Sequence, residues 1–600
     1  MKKNIVCALL SLSISATLLS GCGAKSTAPT AATQADTSAV ADTSETAKTN
    51  DAASGKKQKN RTADNAKADS GTQYEAEAPA YDTGNYLAAE GATADAAAYA
   101  ESGYYEEYYD PYYGYGYYNT EEYNDITENG FSNAKTSPLS TFAADVDTAS
   151  YSNFRRMVEQ GYSLGYFPEG SIRTEEMVNY FTYDYEEPKK GDIFGVKATI
   201  SDCPWNDEAK LMVLGINTKT MKKSKMPDSN IVFLIDVSGS MSSSNKLPLI
   251  KDSMELLIEN FDKNDRISIV TYASGTDVKL NGASGDEEKK ILRAFNRLKA
   301  GGSTNGGEGL KLAYEVAEEN FIEDGVNRVI ICSDGDFNVG ITSQEELEDL
   351  ISKEKESGVF LSVLGFGMSN YSDVTMETLA DKGNGNYAYI DNLQEAKKVL
   401  VDEMTSTFVT VAKDVKLQVE FNPAMVYEYR LVGYENRGLA AEDFKDDSKD
   451  GGEMGAGHQV TAIYEIILAD DVDYDEDLKY QDTKINKKGN KKDEYCTLSI
   501  AYKEPDGDES EYREFPIGEE EYTRHPDEDY IFASLVAEAS LALRGSEYLV
   551  DVTPEEALED ILSELDDMYD LDEYREEFYD LMEYVSGNSY GYGYDYYYEE

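Results

Sequence analysis

Two short apolar runs stand out along the chain: Ile231-Val232-Phe233-Leu234-Ile235 and Val329-Ile330-Ile331-Cys332. Runs of this length and β-branched content, with no polar alternate, read as strands buried on both faces, as in a parallel sheet covered by helices. Around them, short extended runs alternate with longer stretches of helical spacing. The pattern predicts strands near 231–236, 266–272, 277–281, 327–333, 359–365 and 386–390. It predicts helices near 246–261, 286–298, 307–321, 343–356, 372–382 and 392–408. Such alternation specifies an α/β domain on a doubly wound, mostly parallel sheet, here over residues 230–409.

The flanks have a different period. Phe194–Ser201 and Lys210–Asn217 alternate as strands within a segment 136–229, ahead of the α/β domain. Behind it, in a β-rich segment 410–520, come Val415–Phe421, Val426–Val432, Val460–Leu468, Thr497–Lys503 and Tyr512–Pro516. The strands on both sides are expected to form one β-sandwich-like region, with the α/β domain inserted in it or flanked by it. Residues 521–584 then turn helical. Pro526–Leu543 is one helix, and Thr553-Pro554-Glu555-Glu556 opens another with a capping-box layout and Pro at the first helical position. Ile561, Leu562, Leu565, Met568 and Leu571 give that helix an apolar stripe suited to core packing. Upstream, Thr141–Asp147 reads as a short strand. Asp147 is expected to cap a helix through Phe154, Met157 and Val158 that Gly161 stops, a reading preferred to cation ligation by Asp145 and Asp147. The acidic loop Asp470–Asp477 reads as a solvated hairpin loop.

The start of the chain speaks to compartment. Lys2 and Lys3 precede the apolar stretch Ile5–Leu19, which is short for a membrane span and has the layout of a secretory signal. It ends in Leu19-Ser20-Gly21-Cys22, which resembles the bacterial lipobox. That resemblance implies a signal peptide 1–21, cleavage before Cys22 and lipidation of its thiol. The expectation is an extracytoplasmic protein held to the bacterial cell membrane through this N-terminal lipid anchor only. Residues 22–135 are rich in Ala, Thr, Ser and Asp, then in Tyr, without the periodicity that buries a core, and read as a disordered tether. As a coil its ends lie roughly 60 Å apart, and fully stretched roughly 370 Å. Tyr104–Tyr118 and the tail 585–600 share a Tyr-rich composition, read as low-complexity sequence.

The chemistry sits where the first buried strand ends. Asp236-Val237-Ser238-Gly239-Ser240 places a carboxylate and two hydroxyls at the carboxyl end of a strand, where open α/β sheets bind ligands. Oxygen donors of this type suit a hard divalent cation. Gly301-Gly302-Ser303-Thr304-Asn305-Gly306-Gly307 adds a hydroxyl between two helices, and the second buried strand ends in Ser333-Asp334-Gly335. A capped turn or an Asp-Gly turn explains each string separately, but not all of them in this chain order. Together they resemble the metal-ion-dependent adhesion site of von Willebrand factor A domains. The resemblance implies that Asp236, Ser238, Ser240, Thr304 and Asp334 surround one divalent cation, Mg2+ by default, with Mn2+ or Ca2+ as alternatives. It also implies that Thr304 changes coordination between states. Phe142–Tyr151, Thr174–Phe181, Cys203-Pro204-Trp205-Asn206, Ser333–Gly340 and Tyr502–Asp508 are similar to segments of a bacterial family of A-domain lipoproteins, a likeness that covers about Ser140–Tyr548.

Charge and cysteine content narrow the partners. A formal net charge of -61 repels nucleic acid and anionic membrane surfaces. Of five Cys, Cys7 lies in the signal and Cys22 at the lipid site, and Cys332 reads as a small hydrophobe of a core strand. Cys203 and Cys496 are left as the one possible pair, and the sequence leaves open whether they bond. His458 and His525 are the two histidines, neither near the predicted site in sequence. With no second metal cluster and no nucleophile elbow, an enzyme is not expected, and a metal-assisted hydrolase is the weakest alternative. The expected function is a surface-tethered adhesion or scaffold protein that binds a protein ligand presenting an Asp or Glu. An envelope assembly or stress factor, docking through the same domain, is the alternative.

Overall fold

The structure is a computed structural model, which describes residues 123, 125–303, 306–335, 344–355, 357–367, 373–469, 493–505, 507, 509–569 and 571–587. The first part contributes β1 (Ser132–Asn133), β2 (Leu139–Ala143), α1 (Ala149–Glu159), α2 (Thr174–Asn179), β3 (Phe194–Asp202) and β4 (Lys210–Thr218). The α/β domain follows as β5 (Ser229–Asp236), α3 (Leu247–Ile258), β6 (Arg266–Tyr272), β7 (Thr276–Ser284), α4 (Glu288–Asn296), α5 (Gly306–Glu319), β8 (Val326–Ser333), α6 (Gln344–Lys355), β9 (Phe360–Phe366), α7 (Asp373–Lys382), β10 (Tyr387–Ile390), α8 (Leu393–Lys397) and α9 (Met404–Phe408). The remainder adds β11 (Thr410–Phe421), β12 (Val426–Val432), β13 (Gly452–Gly455), β14 (Gln459–Leu468), β15 (Glu494–Lys503), β16 (Glu511–Gly518), α10 (Glu528–Arg544), α11 (Pro554–Asp567) and α12 (Glu573–Val585).

The α/β domain has the predicted architecture. Its sheet runs β10-β9-β8-β5-β6-β7, parallel throughout except for β7, which pairs antiparallel with β6. The unbroken apolar run of β5 is explained by helices on both faces. Ile231, Phe233 and Ile235 join the core under α3, and Val232 and Leu234 join the core under α5. The predicted helix 392–408 is interrupted: after α8 come a π-helical turn, Lys398–Asp402, and then α9.

The strands on either side of this domain form one sandwich, so the α/β domain is an insertion. β4, which precedes it, pairs antiparallel with β14, which follows it, from Lys210 opposite Ile466 to Asn217 opposite Gln459. One sheet is β1-β12-β14-β4-β3; the other is β13-β11-β15-β16, with β2 also on β11. Side chains of β4 alternate as period two requires. Met212, Leu214 and Ile216 face the second sheet and meet Leu417, Val419, Leu498 and Ile500. Leu211 and Val213 face the other way, onto α10, α11 and α12. The capping box at Thr553 forms as expected, with Thr553 Oγ1 accepting the Glu556 N–H at 3.2 Å. That helix stops at Asp567, and Asp572 caps a separate α12, so Leu571 does not extend the stripe.

Two expectations change and one open question closes. Folded chain begins earlier than residue 136: β1 pairs with β12, Asn129 donates to the Leu431 and Gly433 carbonyls, and Glu128 meets Arg544 at 2.7 Å. Two residues of strand and a few polar contacts carry no periodicity, which is why the sequence hid them. Cys203 and Cys496 are both free and buried, in different cores. Cys203 lies among the helices, and Cys496 lies inside the sandwich with its Sγ 3.8 Å from Met212 Sδ. Asp147 does not cap α1: the cap position is Thr148, whose side chain makes no capping bond, and Glu176 of α2 instead accepts the Ser150 N–H at 2.8 Å. The signal 1–21, Cys22, most of the tether, the loop Asp470–Asp477 and residues 588–600 of the tail lie outside the described residues. Among the described residues no helix is long and apolar enough to cross a membrane.

Candidate metal centre

The two buried strands deliver their carboxylates to one place. β5 and β8 are parallel neighbours at the centre of the sheet, with Ile235 opposite Cys332. Asp236 and Asp334 therefore emerge together at the carboxyl edge. The chain leaves β5 toward β6 on one side and returns through β8 on the other, so the site is at the topological switch point. Asp236, Ser238 and Asp334 are buried, and Ser240 is exposed at the rim.

Local hydrogen bonds shape the loop after β5. Asp236 Oδ1 accepts the Ser238 N–H at 2.7 Å, an Asx turn that holds the carboxylate over its own loop. The Ser238 and Ser240 hydroxyls are 2.9 Å apart, so both present oxygen to the same small volume. The Gly-rich loop is bonded directly to this turn: Gly239 N–H donates to the Gly302 carbonyl at 3.0 Å, and Gly301 N–H donates to Val237 at 2.8 Å. Gly302, at φ +99, takes a conformation that favours glycine, and a Cβ there would press on Ser274 Oγ. Thr304, two residues further on, lies outside the described residues.

The donor set consists of carboxylate and hydroxyl oxygens, the chemistry a hard divalent ion selects, and the residues present fit such an ion. Tyr272 stands opposite Asp236 in the β5–β6 register and is buried. Burial, and then the Asp236 charge, push its hydroxyl well above the ordinary tyrosine range, so it stays protonated. One residue was not foreseen. Lys246, just ahead of α3, is buried with its Nζ 2.8 Å from Asp334 Oδ2. Nothing in the pattern of the chain distinguishes it from a surface lysine, because only the packing of α3 against the sheet brings it inward.

Asp145 and Asp147 serve elsewhere. Asp145 Oδ1 accepts the Asp147 N–H at 2.9 Å, and both carboxylates grip Arg437 at 3.0 Å. Arg437 also reaches Glu377 and Asp381 of α7, each at 2.9 Å, and Asp147 accepts the Tyr387 N–H at 3.0 Å. This is an ionic joint between the α/β domain and the sandwich, neither a helix cap nor a cation site. His458 belongs to neither set and is half-buried: its Nδ1 accepts the Gly455 N–H at 3.0 Å, and desolvation pushes its pKa down to about 3, helped by Lys398 and Arg328.

Fold and site define a class: a von Willebrand factor A-type α/β domain set into a β-sandwich with a helical layer. The chain matches "von Willebrand factor type A domain" over residues 230–402, "von Willebrand factor" over 117–213 and "Uncharacterized protein YfbK, C-terminal" over 406–587. It is 44% identical over 437 residues to the YfbK protein of Escherichia coli (strain K12), covering 72% of this chain and 75% of that one. The chain belongs to the YfbK family of A-domain proteins. A more distant relative is inter-alpha-trypsin inhibitor heavy chain H3 of Mesocricetus auratus, 26% identical over 26% of this chain and 18% of that protein. Among solved structures, a von Willebrand factor type A protein from Catenulispora acidiphila is 15% identical with a TM-score of 0.36, covering 64% of this chain and 84% of that one. Domains of this type often carry a metal-ion-dependent adhesion site, and they point to an interaction or adhesion type of function.

Proposed function

We propose that this chain is a divalent-metal-dependent protein-binding lipoprotein, an adhesion or scaffold protein rather than an enzyme. The observation that supports it is the meeting of Asp236, Ser238, Ser240 and Asp334 at the switch point, beside the loop that leads to Thr304. Asp236 and Asp334 supply charge, Ser238 and Ser240 supply neutral oxygens, and Thr304 is assigned the fifth position. A bound Mg2+, or Mn2+ or Ca2+ in its place, supplies an electrophilic position that a carboxylate can complete. The partner is a protein presenting an Asp or Glu, and the net charge of -61 argues against nucleic acid. Lipidation of Cys22 is the anchor to the bacterial cell membrane, outside the cytoplasm.

The test is calorimetric titration of Mg2+, Mn2+ and Ca2+ into the mature chain, beside the Asp236→Ala variant. Saturable binding that the variant loses supports the site; equal heats in both sink it. The anchor is tested separately: Cys22→Ser is expected to release the protein from the membrane fraction.

A further inference from the structure

We infer that Lys246 is a built-in counter-charge that weakens the bare centre for its ion and strengthens the loaded centre for a partner carboxylate. The inference rests on the metal-dependent reading above and adds the residue that couples ion to partner.

The geometry is specific. Lys246 Nζ lies 2.8 Å from Asp334 Oδ2, with the two side chains 6% and 0% exposed. The backbone of Lys246 is fixed at the entry of α3: its N–H donates to Ser243 at 3.1 Å, and its carbonyl accepts from Ile250 at 2.9 Å. Its aliphatic stem lies against Gly367, where any Cβ would collide with it. Gly367, at φ +90, is itself held by the Tyr389 hydroxyl, which donates to its carbonyl at 2.5 Å. The ammonium is therefore seated by packing on two sides and is not a loose surface charge.

Charge balance gives the consequence. Asp236 and Asp334 carry two negative charges, and Lys246 returns one. A divalent ion then meets a shell with one net negative charge, and the loaded centre retains one net positive charge. A single partner carboxylate neutralises it. Without Lys246 the ion alone would neutralise the shell, and an incoming carboxylate would gain less. Because the groups are buried, these charges are screened far less than surface charges. The same lysine thus acts with opposite sign on the two binding steps.

The experiment uses the mature chain, with Mn2+ as the ion and glutarate as the carboxylate probe. Lys246→Met is expected to bind Mn2+ at least tenfold tighter than the unsubstituted chain. At saturating Mn2+ it is expected to bind glutarate at least tenfold more weakly. Lys246→Arg, which keeps the charge, is expected to stay within about threefold on both. Lys246→Gln is a second neutral variant should Lys246→Met fail to fold, with folding checked by the thermal midpoint. A change of the same sign in both steps, or no change in either, overturns the inference while leaving the metal centre standing. If the unsubstituted chain binds no Mn2+ and matches Asp236→Ala, the metal-dependent reading itself fails, and this inference fails with it.

Discussion

Two strings in this chain look alike and end differently. Asp145-Val146-Asp147 follows β2, and Asp236-Val237-Ser238 starts at the last residue of β5. In both, the first Asp accepts the N–H two residues on, at 2.9 Å and 2.7 Å. The local turn is the same, and what faces it differs. A guanidinium from the sandwich fills the first with a rigid fork and ties in two more carboxylates from α7. The second faces hydroxyls, a Gly-rich loop and one ammonium on the neighbouring strand's Asp. The first set spends its charges on holding two parts of the molecule together. The second keeps small oxygen donors converging at a rim that Ser240 leaves open to solvent. A motif of this kind thus becomes a joint or a candidate binding site according to the element that packs opposite it.

The ionic joint is most vulnerable at Arg437. Arg437→Met leaves Asp145, Asp147, Glu377 and Asp381 without that guanidinium, and breaking a buried ion set from one side costs about 3–5 kcal/mol. Chemical denaturation should show that loss, while Mn2+ binding by calorimetry survives in whatever fraction is folded. Asp236→Ala should do the reverse. Ion binding is expected to vanish, with a change in stability of about 1 kcal/mol or less in ion-free buffer. If instead both variants lost the same property, the two strings would not be functionally distinct.

Glu175 gives the Asp145 side a pH dependence of its own. It is buried beside Asp145, and burial first, then the Glu435, Asp145 and Glu176 charges, push its pKa up to about 8. The folded state keeps this proton while the unfolded state releases it above about 4.5, so this group costs stability progressively as pH rises from 4.5 toward 8. Glu175→Gln keeps an acceptor for the Tyr434 N–H, at 2.8 Å in the native joint. It is expected to match the unsubstituted protein at pH 4.5 and to exceed it by about 1–3 kcal/mol at pH 8. His458 gives the opposite slope. With a folded pKa of about 3 against an ordinary 6.5, its neutral form is favoured, and its share of stability is lost as pH falls below 6.5. His458→Gln should flatten the acid limb of the denaturation midpoint, and an unchanged limb would remove His458 as its cause. The smallest effect is expected from Asp147→Asn, which retains the acceptor for Tyr387 and gives up one of four carboxylates on Arg437, about 1 kcal/mol.

Much of the fold was legible because its signals are local. The apolar run of β5, the period-two strands β3, β4 and β12, and the Thr553 capping box each carry their structure in a few adjacent residues. The early start of the folded part was not legible, because β1 is two residues long and Glu128 and Asn129 are held by partners roughly 300–400 positions away. The break after Asp567 was hidden because an apolar stripe does not reveal which of two caps ends a helix.

The candidate site divides along the same line. The placement of Asp236, Ser238, Ser240 and Asp334 was readable from the chain, since strand ends and turn residues fix where such side chains emerge, while Thr304 lies outside the described residues. What the tertiary structure alone decided was the charge around them. It brought Lys246 onto Asp334 and Arg437 onto Asp145 and Asp147, and it kept Cys203 and Cys496 in separate cores. The physical reason is that sequence specifies periodicity and turns over a few residues, whereas burial and electrostatic pairing depend on elements far apart in the chain that packing makes neighbours.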